Sequence, residues 1–353
     1  MTTIALDAPA GASPGRRGQG LVRAWLVLVA LMVFAMVIVG GATRLTDSGL
    51  SITEWQPLLG AIPPMTDAAW AEAFAKYKAI PQYTQMNQGM DLAAFKFIFW
   101  WEWAHRFLGR MIGVVFFVPF VAFLATGLIA RRDAGRFAAI FVLGGIQGAV
   151  GWWMVASGLV DRVSVAPYRL AVHLTLASII FAALVWTAAS LGRNDRRENE
   201  APRIRTGAAL VVAMVFVQIF LGALVAGNDA GLVYNTWPSM NGFVVPPEWL
   251  AMEPMWRNFF ENHATVQFVH RGGAYILTAL ALIQAIVALR LGQSAPVRRS
   301  AVFLILAVLA QVVIGIGTLV MVVPLGMALL HQAFGILVLT AATLHLRAAT
   351  AAT

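Results

Sequence analysis

The chain has 353 residues, 60% of them hydrophobic and 12% charged, with a mean hydropathy of +0.77. Such a composition belongs to an integral membrane protein, so the net charge of +9 reports topology rather than nucleic-acid binding. The absence of cysteine excludes disulfides, thiolate metal sites, iron–sulfur clusters and covalent c-type heme attachment.

In chain order, residues 1–20 are rich in Ala, Gly, Pro and Arg and are predicted to form a disordered cytoplasmic tail. A span needs about 20 predominantly apolar residues. Eight segments qualify: 24–43, 98–130, 137–156, 170–191, 207–226, 264–289, 301–323 and 327–346. The fold class expected is therefore an all-α integral membrane protein of eight transmembrane helices. With the N-terminus inside, the short inner segments collect 15 of the 25 basic residues, among them Arg131, Arg132, Arg136, Arg193, Arg196, Arg197, Arg298 and Arg299. The positive-inside rule then places both termini in the cytoplasm.

The second half of the chain copies the first. Asp47, Gly49, Leu50 and Trp55 match Asp229, Gly231, Leu232 and Trp237 at an offset of 182; Pro63-Pro64 matches Pro246-Pro247 at 183; His105-Arg106 matches His270-Arg271 at 165; Gln147 and Gly151 match Gln311 and Gly315 at 164; His173 matches His331 at 158. The repeated unit has four spans, an even number, so both copies enter the membrane in the same sense. They are expected to form two pseudo-symmetric four-helix bundles related by an axis along the membrane normal. The first span has its counterpart at 207–226, which makes it a retained helix and not a cleaved signal. The expected divisions are an N-terminal half over 21–192 with a long outer loop at 44–97, a cytoplasmic linker over 193–206, a C-terminal half over 207–347, and a tail over 348–353. In the long loop, Thr66-Asp67 would cap a short helix with Trp70, Phe74 and Tyr77 on one face. It would lie on the outer membrane surface as a lid, or pack on its loop neighbours.

Four of the six histidines, His105, His173, His270 and His331, fall within the first two turns, on the outer side, of an even-numbered predicted span. Ionisable groups in a bilayer are costly and face an interior site. Paired imidazoles on facing helices suit a porphyrin, which takes one axial ligand from each side. Two heme sites follow, His105 with His173 and His270 with His331, both near the outer face. Arg106 and Arg271 would reach heme propionates or snorkel to headgroups; Arg110 is left unassigned, a second propionate contact being one reading. His263 and His345 have no repeat partner and read as ordinary polar residues.

The copies differ three residues before the first histidine of each pair, where Glu102 stands in one and Gln267 in the other. That spacing sets each on the face of its histidine. Glu102 either pairs with Arg106 or acts as an acid, a base or a stabiliser of positive charge during a reaction on the macrocycle. The second reading makes the N-terminal site reactive and the C-terminal site a fixed cofactor.

The motifs EWAHR at 102–106, GGATRLTDSGLSITEW at 40–55, QFVHR at 267–271 and HQAFG at 331–335 resemble the heme A synthase family, and the likeness runs from about residue 25 to 347. The resemblance implies oxidation of one ring methyl of heme O, in two successive steps, to the formyl group of heme A for cytochrome oxidase. It implies a b-type heme on His270 and His331, substrate heme O on His105 and His173, and Glu102 as the catalytic carboxylate. It further implies a bacterial inner-membrane location and association with the heme O-producing farnesyltransferase and with oxidase assembly factors; the electron-transfer partner is unknown, since no motif encodes it. Some bacterial members carry a cysteine pair in the first outer loop; this chain is similar instead to the cysteine-free proteobacterial and mitochondrial branch. Composition and histidine placement equally fit a diheme b-type electron-transfer protein linked to quinone, although such a conduit has less need of one acid and a long loop. A transporter built from parallel repeats would carry its polar groups at mid-membrane, not near one end.

Overall fold

The computed structural model describes residues 16–57, 59–191 and 200–350. Most of the expected N-terminal tail, linker residues 193–199 with Arg193, Arg196 and Arg197, and the last three residues lie outside the described residues.

The described residues form the α-helices α1 (Arg16–Leu45), α2 (Asp67–Lys78), α3 (Pro81–Gln85), α4 (Leu92–Ala125), α5 (Ala134–Ala156), α6 (Pro167–Ser190), α7 (Pro202–Gly227), α8 (Asn258–Glu261), α9 (His263–Leu291), α10 (Ala295–Val320) and α11 (Leu325–Ala349), with no β-strand among them. Eight are long and apolar enough to cross a membrane. Even α5, the shortest of these at 23 residues, outreaches a hydrocarbon core of about 30 Å at about 1.5 Å per residue. Several start where sequence chemistry favours it. Asp91 caps α4 by accepting from Ala94 N at 2.7 Å, Asn262 caps α9 by accepting from Thr265 N at 3.1 Å, and α6, α7 and α10 carry proline in their first turn.

The second span departs from expectation at both ends. Hydropathy extended it to 130, but α4 stops at Ala125, where Gly127 takes a left-handed conformation (φ +74) and Ile129 N–H takes the carbonyl of Phe123. It also begins six residues earlier than predicted, because the Asp91 cap starts the helix in a mixed polar stretch that a hydropathy window discounts. His105 is thus nearly four turns inside its helix, whereas His173, His270 and His331 sit about two turns in. The connection expected at 44–97 shortens to 46–91.

Those added turns of α4 are the platform for α2. Thr66 caps α2 by accepting from Ala69 N at 3.2 Å, and Trp70, Phe74 and Tyr77 are its buried face. Trp70 meets Phe99 edge-on at 4.9 Å between ring centres, and Phe74 stacks on Phe95 at 4.9 Å. This face packs on the spanning helix α4; that α2 also lies on the outer membrane surface as a lid remains an expectation. Gln82 extends the contact, accepting from Tyr77 Oη at 3.1 Å and donating to the carbonyl of Asp47 at 3.0 Å.

The spans α1, α6, α7 and α11 touch one another at the centre, with α4 and α5 flanking one side and α9 and α10 the other. The main core runs through Leu26, Val33, Leu184, Val211, Val215, Leu304 and Leu339. Alternating direction brings the first turns of α6, α9 and α11 and the His105 turn of α4 toward one end, the end that also carries α2, α3 and α8. Repeat partners fold alike where α1 and α7 finish: Asp47 and Asp229 both take left-handed φ, 51° and 50°, and Arg44 joins them with bonds of 3.4 Å to Asp47 and 2.7 Å to Asp229. The flanks are less alike. Of the most apolar stretch, 6% is buried in α4, against 28% in both α9 and α10.

Candidate functional site

Each histidine is set against a glycine of a neighbouring helix. A Cβ added to Gly40 of α1 would lie 3.0 Å from His105 Nε2; at Gly151 of α5, 2.9 Å from His173 Cε1; at Gly222 of α7, 3.1 Å from His270 Cε1; and at Gly315 of α10, 2.7 Å from His331 Cε1. These contacts obey the repeat, since Gly40 and Gly222 share the 182 offset and Gly151 and Gly315 the 164 offset. Without Cβ atoms there, the imidazoles recess against the opposing backbones and the space between facing rings stays clear.

The spacing of one pair tests whether heme fits. The His270 and His331 rings lie 6.5 Å apart at 86°. Two metal–imidazole bonds of about 2 Å, plus about 1 Å from each nitrogen to its ring centre, span about 6 Å, so the pair matches a single iron between two axial imidazoles. His105 lies within electrostatic reach of His173, and no group of three or more His, Asp or Glu gathers into a metal cluster among the described residues. A facing pair of imidazoles is a donor set that suits a porphyrin.

Glu102 is buried, 2% exposed, and its carboxylate is saturated. Oε2 accepts from Ser51 Oγ and from Ile52 N–H, both at 2.8 Å, and Oε1 accepts from Arg106 Nε at 3.0 Å and Nη2 at 2.6 Å. Gln267, equally buried, donates to the carbonyl of Ala230 at 2.7 Å and accepts from Arg271 at 2.8 Å. The pairing of Glu102 with Arg106 weighed from the sequence is therefore present, and it is part of a larger clamp. Arg106 also donates to the carbonyls of Ile52 and Glu54, and Arg271 to those of Tyr234 and Thr236, which are repeat partners at 182. Arg110 does the same one turn on, at 2.8 Å to both Pro57 and Gln56 carbonyls. All three guanidiniums thus anchor loops. Arg271 Nε and one terminal nitrogen of Arg110 are buried with no partner, leaving donors for a bound anion.

Residues 23–343 match the family model described as cytochrome oxidase assembly protein. The chain belongs to that family. The matched region takes in all four histidines, Glu102 and both arginines, and stops short of His345. That histidine is buried in a satisfied network with Gln284 and Ser300; His263 is simply the first residue of α9. Among relatives, the chain is 52% identical to a heme A synthase of Mesorhizobium japonicum over 348 residues, 98% of this chain and 96% of the relative. It is 54% identical to one from a Bradyrhizobium species over 94% of this chain and 92% of the relative, and 53% identical to one from Azorhizobium caulinodans over 95% and 96%.

Sequence reasoning named the two histidine pairs but not what surrounds them. Of the four glycines only Gly151 and Gly315 were read as repeat partners, and Ser51, which bonds Glu102, has no counterpart at position 233, a valine. A comparison of the two copies position by position, carried into α1 and α7, would have found both.

Proposed function

We propose that this protein is a heme A synthase. It oxidises one ring methyl of heme O first to a hydroxymethyl and then to a formyl group, each step a two-electron oxidation of that carbon. His105 and His173 hold the substrate, and His270 and His331 hold a resident b-type heme, which when bound supplies one-electron transfer. The observation that carries the division of labour is charge: beside the first pair Glu102 offsets Arg106, whereas beside the second Arg271 faces only the neutral Gln267.

Removing electrons from a substrate builds positive charge on it. A fixed carboxylate in a water-poor site stabilises that charge without having to reorganise, and its four donors hold Glu102 in place for this. The arginine without an anionic neighbour does the opposite at the second pair, favouring the reduced state there. Glu102 would thus favour loss of electrons from the group held by the first pair, and Arg271 their retention on the group held by the second. Arg271 Nε is the donor left for a propionate of the resident group.

The halves correspond to 21–192 and 207–347. The arginine distribution supports both termini in the cytoplasm of a bacterial inner membrane, with the histidine end facing outward. Heme O would come from a farnesyltransferase and the product would pass to oxidase assembly factors, with an external partner accepting electrons. The deciding experiment is Glu102→Gln purified from membranes supplied with heme O, followed by chromatography of the extracted hemes. Heme O is expected to bind and protoheme to stay at normal occupancy, while heme A falls by about a hundredfold or more. Heme A formed at the wild-type rate would refute the role of Glu102.

A further inference from the structure

Three of the four histidines have a glutamine companion on a neighbouring helix: Gln147 for His173, Gln218 for His270 and Gln311 for His331. Each Nε2 donates to the main-chain carbonyl of its histidine, at 3.0, 2.9 and 2.9 Å respectively, and those of Gln147 and Gln218 also lie 3.1 and 3.0 Å from Nδ1. Each Oε1 is buried with no partner, and so is His331 Nδ1. An imidazole that binds iron through Nε2 keeps its proton on Nδ1, which then needs an acceptor. A partial rotation of each amide, with Nε2 staying on the carbonyl and Oε1 turning to Nδ1, satisfies both orphans.

The fourth histidine has no such companion. The 182 offset carries Gln218 onto Met36. Each side chain reaches the helix of its histidine, one position apart in the repeat: a Cβ on Gly273 would meet Gln218 Oε1 at 2.4 Å, and one on Gly109 would meet Met36 Cε at 3.3 Å. A thioether accepts only weakly, and no side chain among the described residues hydrogen-bonds the His105 imidazole. Its ring is also turned differently, with Nε2 closest to Gly40, whereas the other three rings present Cε1 to their glycines.

We propose that the pair Met36 and Gln218 sets which axial ligand can let go: Gln218 locks His270 on the resident iron, and Met36 leaves His105 as the exchangeable ligand of the substrate iron. The proposal rests on assigning the first pair to substrate and the second to the resident heme. Met36 and Gln218 are positioning residues, acting through the histidines. Release breaks only the Nε2–iron bond, with no change of oxidation state, and lets the substrate enter and leave the pair.

The test uses full-length protein purified with its hemes, as wild type, Met36→Gln, Met36→Leu and Gln218→Met, with heme content measured by extraction. Carbon monoxide is added to the reduced protein and the Soret shift titrated, and midpoint potentials are recorded. In wild type, carbon monoxide should bind only the fraction of heme lost in His105→Ala. Met36→Gln should weaken that binding about tenfold or more and lower the potential of the same heme, while Met36→Leu leaves both as in wild type. Gln218→Met should make the second heme reactive, so the proposal stays testable if Met36→Gln does not accumulate. Unchanged carbon monoxide binding in a heme-loaded Met36→Gln protein, or an inert second heme in Gln218→Met, overturns it. If His105→Ala loses no heme at all, the assignment of substrate to the first pair is what fails.

Discussion

Around His105, a buried carboxylate meets four donors and the most apolar stretch of the flanking helix α4 is little covered; around His270, an amide fills the same place and the apolar stretches of the flanking helices are better covered. The frames are alike in their glycines, in their loop-clamping arginines and in the left-handed aspartates that end α1 and α7. What differs is charge, amide support and flank packing. A half meant to admit and release a large apolar guest gains from an open flank, and one meant to keep its guest gains from a closed one. The comparison teaches that a duplicated scaffold can divide binding from turnover by a handful of side chains while leaving its ligands alone.

The comparison can be broken most directly at the ligands. His331→Ala should strip the b-type heme from the protein, whereas His173→Ala should leave it in place and abolish retention of heme O; pigment extraction after purification reads both. Equal loss of both hemes in either variant would show that the halves do not load independently. Next in size is Gln267→Glu, which gives the second half the carboxylate of the first. The potential of the resident heme should fall, as measured by redox titration, and an unchanged potential would sink the electrostatic argument.

Smaller effects sharpen the picture. Gly315→Ala places a methyl 2.7 Å from the His331 ring and should weaken heme retention about tenfold, while Gly144→Ala, with nothing within 4 Å, should leave retention unchanged. Smallest is Glu200, at the entry to the second half. Burial works against its charge, but the N–H groups of Gln293 and Ser294 and the guanidinium of Arg298 outweigh that and hold it below the usual carboxylate range. A carboxylate so depressed contributes stability above its unfolded value and loses it as pH falls through the folded one. The melting temperature in detergent should therefore drop more steeply in wild type than in Glu200→Gln below about pH 4. Parallel curves would remove Glu200 from the account.

Much of this was legible in the sequence because apolar length, repeats and histidine placement are one-dimensional signals. The eight spans, the two histidine pairs and the contrast of Glu102 with Gln267 could be read directly. The end of α4 could not, because a single glycine at 127 decides it by its dihedral angle and not by its hydropathy. The engagement of Arg106, Arg110 and Arg271 with loop carbonyls was hidden for a related reason, since main-chain acceptors have no letter in a sequence. The companions Gln147, Gln218 and Gln311 depend on the rotation of each helix about its axis, which helices apolar all round do not advertise.

Arg106 and Arg271 each follow by one residue a histidine proposed to hold iron, and each grips carbonyls of the loop above. Ligand and anchor therefore share a single turn of helix and move as one lever. A loop that lifts from the membrane end must either break the grip or twist that turn, and twisting it applies a torque to the imidazole. Opening the cover and loosening the guest are then one mechanical event, not two.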